Sequence, residues 1–385
     1  VQVQQNEPIP GAACGIDVVE TKGFLPMHGR RIGLITNHTG LNREGKSTAD
    51  LLRSAPGVQL LALFGPEHGI RGALDQKVPD GIDPGTGLPV FSLYGERTRP
   101  TDEQLAGLNT LVYDIQDIGT RFYTYISTLG NCLEAAAQHK LDFFVLDRPN
   151  PIGGLDVEGA LSDEDKLSFT AYHPIPIRHG LTVGEIARLF VAEKKLDVKL
   201  EVIAAEGWTR GDFWEATNLT WINPSPNMRS LTQALLYPGI GLLETTNLSV
   251  GRGTDTPFEI FGAPWLNGRQ LAAALNERDV PGARFLPIRF TPKSSVFAGQ
   301  LCEGVHLHLT ARSRFVPVYT GLVIAETLLR LFPQSWETRR YNVLLANDTI
   351  YNALLAGQDA ESLMRLAQKD MDSFRKRRRP YLLYS

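Results

Sequence analysis

Glu67, His68 and Arg71 stand just past an apolar run, Leu61-Ala62-Leu63-Phe64, with only Gly65-Pro66 between the run and the first of them. A carboxyl group, an imidazole and a guanidinium grouped in this way can move a proton and hold an anion, which makes Glu67 with His68 the leading catalytic pair. A general acid needs a partly desolvated cleft that raises a carboxyl pKa. A neighbouring guanidinium opposes that, so a structural ion pair between Glu67 and Arg71 is the rival reading. Glu158, in Asp156-Val157-Glu158-Gly159, follows a proline- and glycine-bounded loop. It reads either as a second catalytic carboxylate or as a solvated loop acid.

Other polar clusters follow apolar runs in the same manner: Asn37 with His38; Asp114, Gln116, Asp117 and Arg121; Asp147, Arg148 and Asn150. The second of these is denser in polar residues than a loop requires. It reads as ligand-orienting, with Asp114 held by backbone donors or by Arg121. Tyr123 and Tyr125 can stack on a sugar ring or pack in the interior, the commoner fate of aromatics. Farther along, Glu244, Asn247 and Arg252 lie in a glycine-punctuated stretch where the backbone can approach a ligand and Arg252 offers a carboxylate-sized fork; bracing between domains is the alternative.

These clusters need elements to position them. Residues 31–36, 58–64, 110–115, 142–146 and 198–203 are short apolar runs of strand length, and 47–52, 127–139 and 182–194 carry helical spacing. Ser47 or Thr48 can cap the first helix, and Thr182 with Glu185 forms a capping-box pattern at the last. Strands alternating with helices imply an α/β fold built on a parallel, doubly wound sheet with right-handed crossovers. Ligands bind such sheets at the carboxyl edge, where the polar clusters following 31–36, 58–64, 110–115 and 142–146 would all gather. Residues 74–90 form a proline- and glycine-rich loop. From Asn223-Pro224-Ser225-Pro226-Asn227 the rhythm changes. The chain therefore divides into residues 11–228 and a smaller α+β domain, 229–385, with a strand at 301–309 and helices at 321–331, 341–355 and 362–374.

A formal net charge of −3 over 385 residues disfavours a nucleic-acid partner, and the basic run Arg375-Lys376-Arg377-Arg378-Arg379 reads as a solvated helix end that favours the dipole. Cys14, Cys132 and Cys302 are too scattered for a disulfide framework or a zinc site and read as buried apolar residues. No apolar stretch reaches the roughly 18–20 residues of a membrane span. The start at Val1 without a methionine fits removal of a signal peptide or the edge of an expressed segment. His306 and His308 alternate on one strand without a third ligand suggested by spacing, so no metal is expected. Neither G-x-G-x-x-G between strand and helix, nor a P-loop, nor a G-x-S-x-G elbow occurs, and no nucleotide cofactor or serine nucleophile is expected.

Long motifs span almost the whole chain: GLITNHTG (33–40), LFGPEHGIRG (63–72), YDIQDIGTRFYTYISTL (113–129), LDRPNPIGG (146–154), PIPIRHGLTVGEIA (174–187), PSPNM (224–228), TNLSVGRGTDTPFE (246–259) and GAPW (262–265). Together they resemble the bacterial exo-β-N-acetylmuramidases, a family long catalogued as a domain of unknown function. The resemblance implies a Rossmann-like N-terminal domain, a smaller C-terminal domain and an active-site cleft between them. It implies hydrolysis of terminal N-acetylmuramic acid from the non-reducing end of peptidoglycan-derived glycans, carboxylate acid/base chemistry without a cofactor, and an exported, periplasmic or extracellular protein. It carries Glu67 over from the PEHG motif and Glu158 from the VEG motif, and adds His179 and Asn227 to the substrate-binding candidates. Val250 stands where other members are expected to carry an acidic residue. A non-catalytic cell-wall glycan- or nucleotide-binding protein is the alternative from another class, and a metal-dependent hydrolase centred on His306 or Glu67 is the third.

Overall fold

The computed structural model describes residues 11–71 and 79–385. Part of the loop expected at 74–90 lies outside the described residues. The chain enters through helix α1 (Gly15–Thr21) and then alternates strand and helix: β1 (Arg31–Thr36), α2 (Thr48–Ser54), β2 (Gln59–Gly65), β3 (Gly81–Ile82), β4 (Pro89–Ser92), α3 (Asp102–Leu105), β5 (Thr110–Asp114), α4 (Tyr125–His139), β6 (Asp142–Leu146), α5 (Val183–Glu193) and β7 (Leu200–Ile203). These strands form one sheet of order β3-β4-β2-β1-β5-β6-β7, parallel except at β3. The chain runs outward from β1 through β2 to β4, then returns to β5 on the other side of β1. The topological switch point therefore lies between β1 and β5.

Successive side chains of a strand point to opposite faces, and both faces here are covered. Ile35, Phe64, Tyr113, Phe143 and Val145 join the core under α4 and α5, while Leu34, Leu63, Val112, Phe144 and Leu146 join the core under α1 and α2. Every residue of β5 is buried. That explains why a central strand reads as a continuous apolar run rather than an alternating one.

The second unit contains α6 (Leu231–Ile240), β8 (Ile260–Ala263), α7 (Gly268–Glu277), β9 (Ala283–Phe290), β10 (Cys302–Leu309), α8 (Pro317–Leu331), α9 (Asn342–Leu345), α10 (Asp348–Leu355) and α11 (Ala360–Arg378). Its sheet is antiparallel, of order β8-β10-β9. The doubly wound sheet with a smaller α+β unit is thus the fold observed. Helices α6 and α8 cross at two glycines: a Cβ on Gly321 would fall 2.6 Å from the Gly239 carbonyl oxygen, so neither backbone could approach with a larger residue present. The helix expected across 341–355 is divided, because Ala346 adopts a left-handed conformation between α9 and α10.

The basic run is solvated only at Lys376 and Arg379. Arg378 is buried and donates to the carbonyls of Gly154, Leu155, His179 and Gly180; Arg375 donates to Val157 and Arg377 to Pro174. Helix α11 is thereby fastened to the loops of the first sheet. Arg121 acts similarly from the other side: fully buried, it donates to the carbonyls of Ala160 and Ile175 and, across the chain, of Leu344 and Leu345.

Candidate active site

Strand β2 ends at Gly65, and Pro66 to Gly69 makes a turn closed by the Gly69 N–H donating to the Pro66 carbonyl at 2.9 Å. His68 occupies the position of that turn where φ is positive, +70°, a place usually taken by glycine or asparagine. Such backbone strain in a non-glycine residue is typical of functional turns. The turn raises Glu67 above the sheet edge, half-buried, where its Oε2 accepts a hydrogen bond from the Thr124 hydroxyl at 2.6 Å. Thr124 is the N-cap residue of α4, and its hydroxyl makes no cap bond. Arg71 pairs with Asp83, at 2.6 Å, in the loop before β4, in place of the Glu67–Arg71 ion pair that was the rival reading of this cluster.

Beyond β1, His38 Nε2 lies 2.6 Å from the Asn223 carbonyl. A carbonyl only accepts, so Nε2 carries the ring proton and Nδ1, buried without a partner, is left as an acceptor. Burial holds the His38 pKa below the ordinary histidine value; the hydrogen bond to Asn223 opposes this and His68 nearby reinforces it. The Tyr125 hydroxyl donates to the Pro224 carbonyl. The 223–228 segment, with Asn227 buried in it, is thus pinned over the sheet edge as a wall.

Aromatic edges carry the site across to the second unit. Tyr123 meets Tyr125 at 4.9 Å and Tyr237 at 5.8 Å between ring centroids, and Tyr237 meets Phe258 at 4.7 Å. Burial raises the Tyr237 pKa well above the ordinary phenol value; Glu244 adds to this, Arg252 opposes it, and Tyr123 and Glu67 add again. Tyr237 thus links Tyr123, next to the Thr124 that holds Glu67, to Phe258, over whose ring lies the guanidinium of the Glu244–Arg252 ion pair. One run of contacts therefore joins Glu67 and Tyr123 to Glu244 and Arg252.

Several other candidates are spent on architecture. Asp114, expected to be held by backbone donors or by Arg121, is held by Arg148 (Nε to Oδ1 at 2.5 Å, Nη2 to Oδ2 at 2.9 Å) and by the Thr48 hydroxyl. Asp147 accepts from Thr182, Tyr384 and the N–H groups of Gly184 and Arg148, and so caps α5. Glu158 is buried, not solvated: Oε1 takes Arg178 Nη1 at 2.6 Å and Oε2 takes the Val318 N–H at 3.1 Å, capping α8. Burial raises its pKa, with Arg178 opposing. Asn150 braces the Leu181 carbonyl, and Asn247 binds Ser335 and Glu337 backbone away from the cleft. Asn37 and Arg71 line a cavity of about 240 Å³ together with His38, and Gln116 and Arg148 line another of about 220 Å³ with Trp214. Asp117 lies at the end of β5 with His179 beside it. Among the described residues no three His, Cys, Asp or Glu side chains are grouped to hold a metal ion, and none of the described helices is long and apolar enough to cross a membrane.

Burial pushes the Asp147 carboxyl up to about 6, while its donors Tyr384, Thr182 and Gly184 oppose this. Because the folded value exceeds the unfolded one of about 3.9, the folded state binds the proton more tightly, and this group's contribution to stability falls as pH rises from about 4 to about 6. Removing a donor to the anion deepens that fall. Tyr384→Phe is expected to lower stability by about 1–3 kcal/mol at pH 7 and by less at pH 5; equal losses at both pH values in urea melts would contradict this role for the hydroxyl.

Thr124 and Tyr237 were not among the sequence candidates, and His38 was one only as a member of the strand-end cluster with Asn37. Thr124 sat inside an aromatic run whose helix was placed to start later, and His38 had a strand-end position as its only signal.

A strand-end carboxyl group joined through a run of aromatic contacts to an arginine–carboxylate pair of the second unit is an arrangement suited to a two-domain α/β enzyme that handles a polar ligand. Similarity then fixes the family. Residues 32–232 match the family described as exo-beta-N-acetylmuramidase NamZ, N-terminal, and residues 235–384 its C-terminal counterpart; the chain belongs to this family. It is 42% identical over 385 residues to the peptidoglycan beta-N-acetylmuramidase NamZ of Bacillus subtilis (strain 168), covering 99% of this chain and 93% of that protein. Two crystal structures of DUF1343 family proteins from Bacteroides fragilis NCTC 9343 are also similar. One has a TM-score of 0.92 and 36% identity, covering 98% of this chain and 100% of that one. The other has a TM-score of 0.80 and 29% identity, covering 97% and 99%.

Proposed function

We propose that this chain is an exo-acting glycoside hydrolase that releases N-acetylmuramic acid from the non-reducing end of peptidoglycan fragments. The observation that carries the reading is the family match across both domains. Glu67 is the proton donor to the leaving oxygen, with Thr124 holding its Oε2 so that the other oxygen can serve the substrate. The test is to incubate the protein with a disaccharide of N-acetylmuramic acid linked to N-acetylglucosamine and to follow free N-acetylmuramic acid by chromatography. No release at any pH between 5 and 9 would refute the reading. Work on cell-wall fragments further implies export, which fractionation of the native host tests directly.

The lactyl ether of muramic acid carries a carboxylate that glucosamine lacks, and Arg252, about a quarter exposed beside the cleft, offers the matching fork. Arg252→Ala is expected to lower kcat/KM about 10- to 100-fold on the muramyl substrate, as loss of a charge-assisted bond of about 1.5–3 kcal/mol would, and to leave residual turnover of the lactyl-free analogue unchanged. Comparable loss on both substrates would remove Arg252 as the specificity residue.

A further inference from the structure

The cavity of about 240 Å³ at the end of β1 runs from an exposed rim, where Arg71 and Asp50 stand, to a floor of the buried residues Asn37, Gly40 and Leu63. Two polar atoms of its lining, Asn37 Nδ2 and His38 Nδ1, are buried with no hydrogen-bond partner among the described residues. Their neighbours fix what each can do.

Asn37 is 4% exposed, and its Oδ1 accepts both the Thr39 N–H at 2.9 Å and the Thr39 hydroxyl at 2.6 Å. A backbone N–H only donates, so the amide oxygen faces Thr39 and Nδ2 is left as a donor. The Thr39 hydroxyl in turn accepts the Gln116 N–H at 2.9 Å, which ties this arrangement to the segment after β5. In His38 the proton sits on Nε2 against the Asn223 carbonyl, and burial keeps the ring neutral, so Nδ1 is an acceptor. Consecutive residues of one cavity thus offer an unmatched donor and an unmatched acceptor. A carboxylate or phosphate has no proton for His38. A secondary amide satisfies both atoms, because its carbonyl accepts and its N–H donates.

The cavity adjoins the turn that carries Glu67. That turn is closed by the Gly69 N–H to Pro66 bond, and Ile70 and Arg71, the next two residues, line the cavity. The chain folds tightly back there: a Cβ on Gly65 would fall 3.1 Å from the Ile70 nitrogen. A second tie runs over the sheet edge, where His38 bonds Asn223 and the Tyr125 hydroxyl bonds Pro224, while Thr124, next to Tyr125, holds Glu67. Glu67 is therefore joined on one flank, through Thr124 and the aromatic run, to Arg252, and on the other, through its own turn, to this cavity.

A general acid serves the oxygen between two sugars, and the muramyl lactate has been assigned to the Arg252 flank. The sugar on the other side of that oxygen, N-acetylglucosamine, carries a secondary amide. We propose that this cavity is the subsite for the leaving sugar, in which His38 Nδ1 accepts the N–H and Asn37 Nδ2 donates to the carbonyl oxygen of that sugar's 2-acetamido group. The inference rests on the muramidase reading above. It makes the enzyme selective for the sugar it releases as well as for the one it cuts from the chain end, because a site built around a polar group discriminates against an analogue that leaves its buried atoms unpaired.

The test compares two disaccharides that share the muramyl unit, N-acetylmuramic acid linked to N-acetylglucosamine and the same sugar linked to glucose, with wild type, His38→Gln and Asn37→Asp. Glutamine can keep the donor to the Asn223 carbonyl while lacking Nδ1, and aspartate keeps the oxygen that faces Thr39 while lacking Nδ2. Wild type is expected to prefer the N-acetylglucosamine disaccharide by about 10- to 100-fold in kcat/KM, and each variant, at an unchanged melting temperature, to lose about tenfold of that preference by slowing the acetamido substrate. Wild type that cleaves the two disaccharides within about threefold of each other would overturn the proposal without any variant having to fold. A folded His38→Gln or Asn37→Asp that keeps the full preference, or that loses equally on both disaccharides, would overturn it as well, the latter marking a purely structural role. Wild type that releases no N-acetylmuramic acid from the N-acetylglucosamine disaccharide would instead refute the muramidase reading itself.

Discussion

Glu67→Gln should abolish turnover while leaving the protein folded and able to bind its glycan. A positioned general acid contributes about 10²–10⁴ to rate, and the amide can neither deliver a proton to the leaving oxygen nor recover one from water. A loss near the upper part of that range is expected in kcat, with KM little changed because the amide keeps the Thr124 contact. The fold should survive because Glu67 is half-buried at a turn, and the turn is set by backbone: the Gly69 N–H to Pro66 bond and the positive φ of His68 and Gly69. A diagnostic accompanies the rate. An aryl glycoside whose leaving group is a stable phenolate needs little protonation, so the variant should recover much of its activity on that substrate in the first step. Uniform loss on activated and natural substrates alike, or a variant within about tenfold of wild type on the disaccharide, would take the acid role from Glu67.

Much of the first domain was legible because parallel strands covered on both faces announce themselves. The runs at 31–36, 58–64, 110–115 and 142–146 fall on β1, β2, β5 and β6 with shifts of one residue or none at their ends. The capping box Thr182 and Glu185 marks the true start of α5. What escaped was held by tertiary contact. Helix α1 opens on Cys14 and has no hydroxyl cap; its Ile16 and Val19 are buried in the core beneath the sheet, and that packing sustains a seven-residue helix. Strand β9 carries Pro287 on an edge of its sheet, where a missing N–H is tolerated, and so looked like loop.

The candidate site was legible in its position and less so in its membership. Polar residues after strands do gather at one edge, but sequence cannot tell a carboxylate facing a ligand from one facing an arginine brought in from another strand. Asp114 ends β5 and Asp117 stands three positions on; the first is closed by Arg148, and the second has one oxygen buried without a donor. Glu158 looked equivalent to Glu67 by residue type and loop context. Its partner Arg178 sits opposite it in a two-residue backbone bridge, a pairing no spacing rule shows.

The largest effect on stability should come from Arg148→Met. Arg148 is 5% exposed and Asp114 fully buried, and the guanidinium engages both carboxylate oxygens while also donating to the Leu41 carbonyl. Burial opposes the charge on Arg148, and Asp114 more than offsets this, so its pKa lies above the ordinary arginine value. Methionine fills much of the space yet strands Asp114 with the Thr48 hydroxyl as its remaining side-chain donor. Removing one member of a buried pair costs about 3–5 kcal/mol, whereas removing both in favour of apolar groups is often close to neutral. Urea unfolding should therefore show Arg148→Met destabilised by that amount and Arg148→Met with Asp114→Leu restored by at least half of it. The pair lies at the topological switch, where Asp114 ends β5 beside β1, so the single variant should also loosen the segment that follows β5 at the ligand-binding edge. A double variant as unstable as the single one would mean that the pair's worth lies in the bond to Leu41 and the shape of the guanidinium, not in neutralising Asp114.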